Sequence, residues 1–563
     1  MNLLLLAAGC GFGINLDQNK NGITAENFDQ DGDGVTVDTD CDDYDDSIYP
    51  GAEEVPYDGI DQDCDSYDLT DVDGDGFDAE VVGGEDCDDD HSEIAPDHFE
   101  WMGNNTDDNC NLVIDEVNQL AVDDNLRWLS YFAGSVEGSQ FGGSLIGGDV
   151  TGDGKSDVAI IAEHEPLSDY DEKAGRLYFI PSQDDGEPAT LSESDPLTVS
   201  GNDEGHRLNS TAFGSFYLGE GSIAIASYGY DYEDGINNGA VGVVSAAEFV
   251  TTGNLVLDQM DLLFFGSDGS RAGEGESIAF VADPGSTDSP ANALLIGARG
   301  VNEAYLLRYD DYAYASGSIG EASTQIYGAD VEDPNSDFGN AVAGGQDVDG
   351  DGYPDVFVSA YLETSNLNEQ GSVRVYLGGD SLMENPTPLP VQVLYGLSEY
   401  GHYGTSLESA DFNHDGYGDL VVGSPLAEEM SGSVSIHLGS AEGLNETPDF
   451  LYGDESGSFF GERVSSAGDV NDDGIDDLLV GSLGSYDSTL NSGAIYLYLG
   501  NEAGFEESPD ALFIGLEEMQ AHVVAPGGRV AADTDAILIG APGYDENRGV
   551  AFLIPGQSLY LED

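Results

Sequence analysis

Positive charge is the scarcest thing in this sequence. Its 563 residues hold 13 Lys plus Arg against 112 Asp plus Glu, a formal net charge of −99. A field of that sign repels phosphate backbones and anionic lipid headgroups, which excludes nucleic acid as a partner. Long apolar runs are missing as well: no stretch approaches the ~18 consecutive apolar residues that a membrane-spanning helix needs. Catalytic signatures are absent too. There is no GxSxG and no HExxH, and the eight His are scattered, with His206, His402 and His522 at different offsets within the repeats described below. Cysteines number only five, and none sits in the paired CxxC of a zinc site. The chain is nevertheless no disordered acidic tail, because 40% of it is apolar and 29 Tyr and 22 Phe supply a large core.

The cysteines that remain after Cys10 are Cys41, Cys64, Cys87 and Cys110, spaced 23, 23 and 23. Equal spacing reads as two tandem modules, and an even count in an exported chain reads as disulfides. Three pairings are open; the local one, Cys41–Cys64 and Cys87–Cys110, places one bridge in each module. Residues 27–118 have almost no apolar periodicity and are rich in Asp, Asn and Gly, so they need bridges and metal to hold a shape. Asp29, Asp31 and Asp33, Gly34, the carbonyl of Val35 and, at the twelfth position, Asp40 have the spacing of a loop folded around one hard cation. A second copy has Asp71, Asp73, Asp75, Gly76 and Phe77, with Val82 at the twelfth position and Glu85 and Asp86 arriving late, so its closing ligand stays open. Weaker echoes occur at Asp61, Asp63 and Asp65, and at Asp107, Asn109 and Asn111. DQDGDGVTVDTDCDDYDDSIYPGAEEVPYDGIDQDCD, with its DxDGDG, DCDD, PGAxE and DGxDxDCD, resembles the MopE-type metal-binding repeat of bacterial surface proteins; the second copy departs from it, with APDHFE in place of PGAxE. That family name is associated with copper, for which His91, His98 and Trp101 would form a corner, but carboxylates suit calcium better than a soft ion.

From about residue 126 the grammar changes to short strands separated by Gly and Asp turns. An apolar-x-Gly signature closes at Gly134, Gly201, Gly266, Gly328, Gly396, Gly453 and Gly515. An aromatic-Gly pair follows at Phe141-Gly142, Phe338-Gly339, Tyr403-Gly404 and Phe460-Gly461. A buried-type strand comes next, at 158–161, 223–226, 294–296, 356–358, 420–422, 478–480 and 537–539, and an alternating strand ends each unit, such as 372–377, 433–438 or 494–499. Seven units of four short strands predict an all-β, seven-bladed β-propeller rather than a solenoid, which would need capping units. Residues 128–134 precede any complete blade and 550–554 lack a following outer strand, so the two ends of the repeat region are expected to pair and close the ring.

Four units carry a strict nine-residue string between strands: Asp149, Thr151, Asp153, Lys155 and Asp157; Asp347, Asp349, Asp351, Tyr353 and Asp355; Asp411, Asn413, Asp415, Tyr417 and Asp419; and Asp469, Asn471, Asp473, Ile475 and Asp477. Oxygens at positions 1, 3, 5 and 9 and a carbonyl at 7 surround one cation, while the glycine at 6 permits the turn. With the aromatic-Gly pairs, these units resemble FG-GAP repeats, the blades of the integrin α headpiece, over about 126–556. The likeness is strong in units one, four, five and six. Units two, three and seven rest on strand pattern alone.

The start, MNLLLLAAGC, resembles the lipobox of bacterial lipoproteins, which would lipidate Cys10; no Lys or Arg precedes the run, the run is short, and Ala7 stands where Leu is usual, so a truncated ordinary signal stays open. The expected organisation is 1–10 signal-like, 11–26 linker, 27–118 two disulfide- and calcium-stabilised Asp-rich modules, and 126–556 propeller. The resemblances imply a calcium-binding cell-surface adhesion or ligand-binding protein with about six calcium sites. Its partner would be an extracellular protein or glycan, and its only membrane contact a lipid anchor at the outer membrane. No enzyme is expected; copper sequestration and action on a polysaccharide are the competing readings.

Overall fold

The computed structural model describes residues 29–94 and 130–556, each with short internal gaps, together with Cys110. The lipobox-like start with Cys10, Asp75, His98 and Trp101 lie outside the described residues. The chain divides into two compact units, the Asp-rich region and the propeller.

The Asp-rich unit is nearly all turn, as its lack of apolar periodicity requires. Its one described helical element is the short Glu80–Val82, with a bridge between Ala79 and Asp86 beside it. Of the three pairings, the local one is formed: Cys41–Cys64 and Cys87–Cys110, with Cα atoms 5.9 and 5.4 Å apart.

The second unit is an all-β propeller of seven sheets. The first blade is Phe141–Gly148, Asp157–Ala162, Arg176–Ile180 and Leu197–Ser200, and the others repeat this antiparallel meander. Each inner strand touches the inner strand of the next blade, and the seventh touches the first. The seventh sheet takes Val523–Arg529, Asp535–Ala541 and Val550–Pro555 from the end of the chain and Ser130–Ala133 from ahead of blade 1. That pairing, with Phe132 opposite Ala551, is the expected ring closure and leaves no open edge between first and last blade. All seven glycines of the apolar-x-Gly signature directly follow an outer strand.

The core is distributed as seven apolar clusters, one between each pair of neighbouring blades. This corrects one expectation. The third strands, read as alternating, are buried along their whole length in five blades, as in Ser372–Tyr376 and Ala494–Tyr498, because both faces are covered by neighbouring blades, whereas in blade 1 Arg176 and Tyr178 stay half-buried. They also do not end the units, since an outer strand follows each. Two parallel additions were not foreseen: Leu255–Val256 joins blade 1 and Gly317–Ser318 joins blade 2 as fifth strands. The aromatic-Gly motif stitches neighbouring blades. Phe141, Tyr403 and Phe460 bridge to Gly549, Gly371 and Gly432 of the preceding blade. The glycine after each aromatic has φ of +85° to +91°, and a Cβ on Gly142 would lie 2.6 Å from the Val550 carbonyl oxygen.

Candidate metal centres

The four nine-residue strings lie where expected, each between the inner and second strands of its blade. In the Asp347 loop, the position-1 carboxylate accepts from Gly350 N (2.7 Å) and Gly352 N (2.7 Å), Asp349 accepts from Asp351 N (3.1 Å), and Asp351 accepts from Tyr353 N (2.9 Å). The Asp411 and Asp469 loops repeat this arrangement, with Asn413 and Asn471 in the third place. In the Asp149 loop, position 3 is Thr151, whose hydroxyl turns to Asp157 at 3.3 Å; Asp149 and Asp153 keep their places. Glycine at position 6 has φ of +86°, +92°, +88° and +87° in the four loops. A Cβ on Gly154, Gly416 or Gly474 would meet nothing within 4 Å, so backbone conformation rather than space selects the residue there.

Position 9 has a second function that the string alone does not reveal. Asp157, Asp419 and Asp477 begin the second strand, Asp355 immediately precedes it, and all four are at most 1% exposed. Each accepts the N–H of position 2 across the loop: Val150 (3.0 Å), Val348 (2.8 Å), Phe412 (3.0 Å) and Val470 (2.8 Å). In blades 4, 5 and 6 the other carboxylate oxygen accepts from a glycine just past the third strand, Gly378 (2.8 Å), Gly439 (2.9 Å) or Gly500 (2.9 Å). One buried carboxylate thus ties the loop to both strands. Burial pushes Asp355 and Asp419 up to about 7 and Asp477 to about 8, against which their backbone hydrogen bonds pull down. Asp349 is raised by burial first, with the charges of Asp351 and Asp347 adding to it. An adjacent divalent cation relieves that opposition to ionisation, and the oxygen-only donor set suits a hard ion.

Blades 2, 3 and 7 lack the string, and their loops differ physically. In blade 2 the inner and second strands pair as far as Tyr217 and Glu220. In blade 3, Asp283 is paired with the Arg308 guanidinium at 2.7 and 2.5 Å, and in blade 7 Arg529 lies 3.7 Å from Asp535. An internal cation stands beside the loop carboxylate in both.

In the Asp-rich unit, Asp29, Asp31 and Asp33 bring one oxygen each within 4.8 Å of one another. The turn repeats the propeller pattern, with Gly32 N and Gly34 N on Asp29, Asp33 N on Asp31 and Val35 N on Asp33. Asp31, Asp33 and Asp40 each keep one buried oxygen without a hydrogen-bond partner among the described residues, as a cation-binding loop would. Asp31 is raised by desolvation first, with the charges of Asp33, Asp40 and Asp29 adding to it, while Asp40 itself groups with the Cys41–Cys64 bridge. Of the two late acids considered for the second loop, Glu85 lies outside the described residues. Asp71 and Asp73 converge with Asp89, which accepts Val72 N at 3.1 Å and the Tyr57 hydroxyl. A third cluster joins Asp61 and Asp63 with Glu54, which caps Asp63 N at 2.7 Å. Glu54 and Asp89 are the residues sequence reasoning missed. His91, one member of the copper corner, is exposed and lies 3.0 Å from Asp88.

Family comparison agrees with this division. The FG-GAP repeat model matches 141–180, 338–376, 403–437 and 460–498, the four blades with loops. The Cu-binding_MopE model, described as "Putative metal-binding motif", matches 40–68 and 86–116. Among curated proteins, the chain is similar to integrin alpha-5 of Xenopus laevis (31% identity over 32% of this chain and 18% of that protein). It is also similar to integrin alpha-IIb of Mus musculus (36% over 26% and 15%) and integrin alpha-PS5 of Drosophila melanogaster (32% over 33% and 18%). The chain therefore spans less than a fifth of the length of these relatives. On these matches and this architecture, the chain carries FG-GAP repeats in a seven-bladed β-propeller similar to integrin α subunits over part of its length, with two matches to the MopE-type metal-binding motif ahead of it.

Proposed function

We propose that the protein is a calcium-binding, cell-surface adhesion or ligand-binding protein in which calcium is structural in both units. The observation that carries this reading is the repeated position-9 carboxylate, buried and raised, at the junction of loop and two strands in blades 4, 5 and 6. Calcium at each loop would ionise that group and lock the second strand's entry. The loops also lean on one another: Gly418 N donates to the Asp347 carbonyl at 2.8 Å, and Asp535 N to that of Asp469 at 3.0 Å. Metal at one blade therefore stiffens the next, which suits a rigid display scaffold. The integrin α likeness supports a non-enzymatic role with an extracellular protein or glycan as partner, and a lipid anchor at Cys10 would hold the protein at the outer membrane. The all-oxygen clusters of the Asp-rich unit favour calcium over copper there.

The test is to strip the full chain with a chelator and titrate calcium, then copper, by calorimetry while following thermal unfolding. Uptake of about six calcium ions with a rise in melting temperature is the expected result. Stoichiometric copper uptake confined to 27–118 would put metal sequestration first. Uptake of neither ion would overturn the loop assignments.

A further inference from the structure

Six of the seven blade interfaces are filled at one recurring place, and the seventh is not. The place is the third-strand residue opposite the middle of the second strand. It is Tyr178, Tyr305, Arg374, Tyr496 and Phe552 in blades 1, 3, 4, 6 and 7. In three of these blades the motif aromatic packs against that residue: Phe141 on Tyr178 (centroids 5.3 Å apart), Phe460 on Tyr496 (4.9 Å) and Arg374 over Phe338 (5.7 Å). Blade 2 has Gly242 there, and Met260 and Leu257 occupy the space, within 2.4 and 2.9 Å of where a Cβ would be.

Blade 5 has Ser435, flanked on the same face by Ser433 and His437. No described side chain fills the missing volume. A cavity of about 410 Å³ remains between the outer strand of blade 4, Gln392–Tyr395, and the outer half of blade 5. Its floor is polar and finished. Tyr403, the motif aromatic, donates its hydroxyl to His437 Nε2 (2.8 Å), while His437 Nδ1–H donates to the Asn445 carbonyl (2.9 Å). The hydroxyls of Ser433 and Ser435, on residues 5% and 2% exposed, make no hydrogen bond with the described residues. The rim is aromatic: Phe450 and Tyr452 stack with centroids 5.7 Å apart and planes 20° off parallel, and Tyr452 and Tyr395 are 55% and 39% exposed.

We propose that this inter-blade groove binds a neutral saccharide, with one sugar ring lying on the Tyr452–Phe450 face and its hydroxyls meeting Ser433, Ser435 and the Tyr403–His437 pair. Three alternatives fit worse. An anionic ligand would meet no Lys or Arg in the lining and the full −99 field outside it. A cation has richer carboxylate clusters elsewhere, since only Glu428 and Glu446 line this groove. An aliphatic side chain filling the groove would cover the Ser433 and Ser435 hydroxyls without pairing them, at about 1–3 kcal/mol each. The volume lies within the roughly 300–1,000 Å³ of small-ligand pockets. This inference narrows the ligand-binding reading above to one groove and rests on it, yet it uses none of the calcium ligands, so the two can fail separately.

The test uses the full chain in calcium, with cellotetraose, xylotetraose and chitotriose as neutral probes and trigalacturonate as an anionic one. Binding is read by saturation-transfer NMR and calorimetry. At least one neutral probe should bind. Ser435→Tyr, which restores the residue type found in three other blades, should weaken it at least about tenfold while keeping the melting temperature. Tyr452→Ala, at an exposed position, should weaken it several-fold with the fold intact, and serves if Ser435→Tyr proves unstable. Absence of binding by all three neutral probes at millimolar concentration, stronger binding of trigalacturonate, or binding unchanged in both variants would overturn the proposal, whatever the calcium titration gives.

Discussion

Two aspartates four residues apart in blade 6 separate metal binding from folding. Asp473, at position 5, is exposed and holds only its own turn, accepting from Ile475 N at 2.8 Å and from Asn471 Nδ2 at 3.1 Å. Asp477, at position 9, is fully buried and accepts Val470 N and Gly500 N at 2.8 and 2.9 Å. Asp473→Ala should therefore cost little in a chelator, within about 0.5 kcal/mol for a surface change. In calcium at about 100 times its dissociation constant, the same variant forfeits up to roughly 2.7 kcal/mol of linkage. Asp477→Ala leaves two buried N–H groups unpaired, about 1–3 kcal/mol each, so it should lose roughly 2–6 kcal/mol even in the chelator and more in calcium. A domain of this size shifts by roughly 1 °C per kcal/mol, given an unfolding entropy of about 2 cal/mol/K per residue. Calorimetric unfolding of the two variants with and without calcium resolves such differences. Equal losses for Asp473→Ala in chelator and calcium would refute the metal reading of the loop. Equal stability of the two variants in chelator would refute the stitching role of Asp477.

Phe132, 1% exposed on the closing strand, should cost about 3–5 kcal/mol as Phe132→Ala, seen as a lower urea midpoint of the propeller. Asp89→Asn and Glu54→Gln should each remove one calcium from the Asp-rich unit in the calorimetric count, leaving propeller uptake unchanged. Reducing the two bridges, each spanning 23 residues, should destabilise residues 27–118 by about 3 kcal/mol per bridge and open them to proteolysis before the propeller. Glu163, beside the central channel, is pushed up to about 7 by burial, with Arg463 and Arg207 offsetting part of the shift. Its folded pKa exceeds the unfolded one, so its contribution is complete below about pH 4.5 and is lost as pH rises through about 7. Glu163→Gln should accordingly gain on the parent protein at pH 8 and not at pH 4 in a melting-temperature profile.

The four metal loops were legible because a cation's demands fit in nine consecutive residues, and the ring closure because its two half-blades sit at the two ends of the repeats. Blades 2, 3 and 7 were legible only as strands, for a reason the structure makes physical. In blade 2 the strands stay paired as far as Tyr217 and Glu220, and Arg308, from 25 residues away, and Arg529, from across the same hairpin, bring positive charge to Asp283 and Asp535. Glu54 and Asp89 escaped notice because each joins its cluster from outside the local string, Asp89 from 16 residues beyond Asp73. Spacing inside a loop cannot announce a ligand supplied from outside it.

The Ser433–His437 strand carries the more instructive misreading. Its alternation of polar and apolar residues has the usual meaning of one wet face and one dry face. In this propeller that meaning fails for blade 5, because neighbouring blades cover both faces of its third strand. Blades 6 and 7 obey this with Tyr496 and Phe552 where blade 5 has Ser435. A polar face kept in such a position must either be hydrogen-bonded inside the protein or look into a space that something else occupies. His437 takes the first course through Tyr403 and Asn445; Ser433 and Ser435 take the second. Once the architecture is known, alternation in a doubly covered strand becomes a signal for a cavity, and the small residue at its centre marks where the ligand would enter.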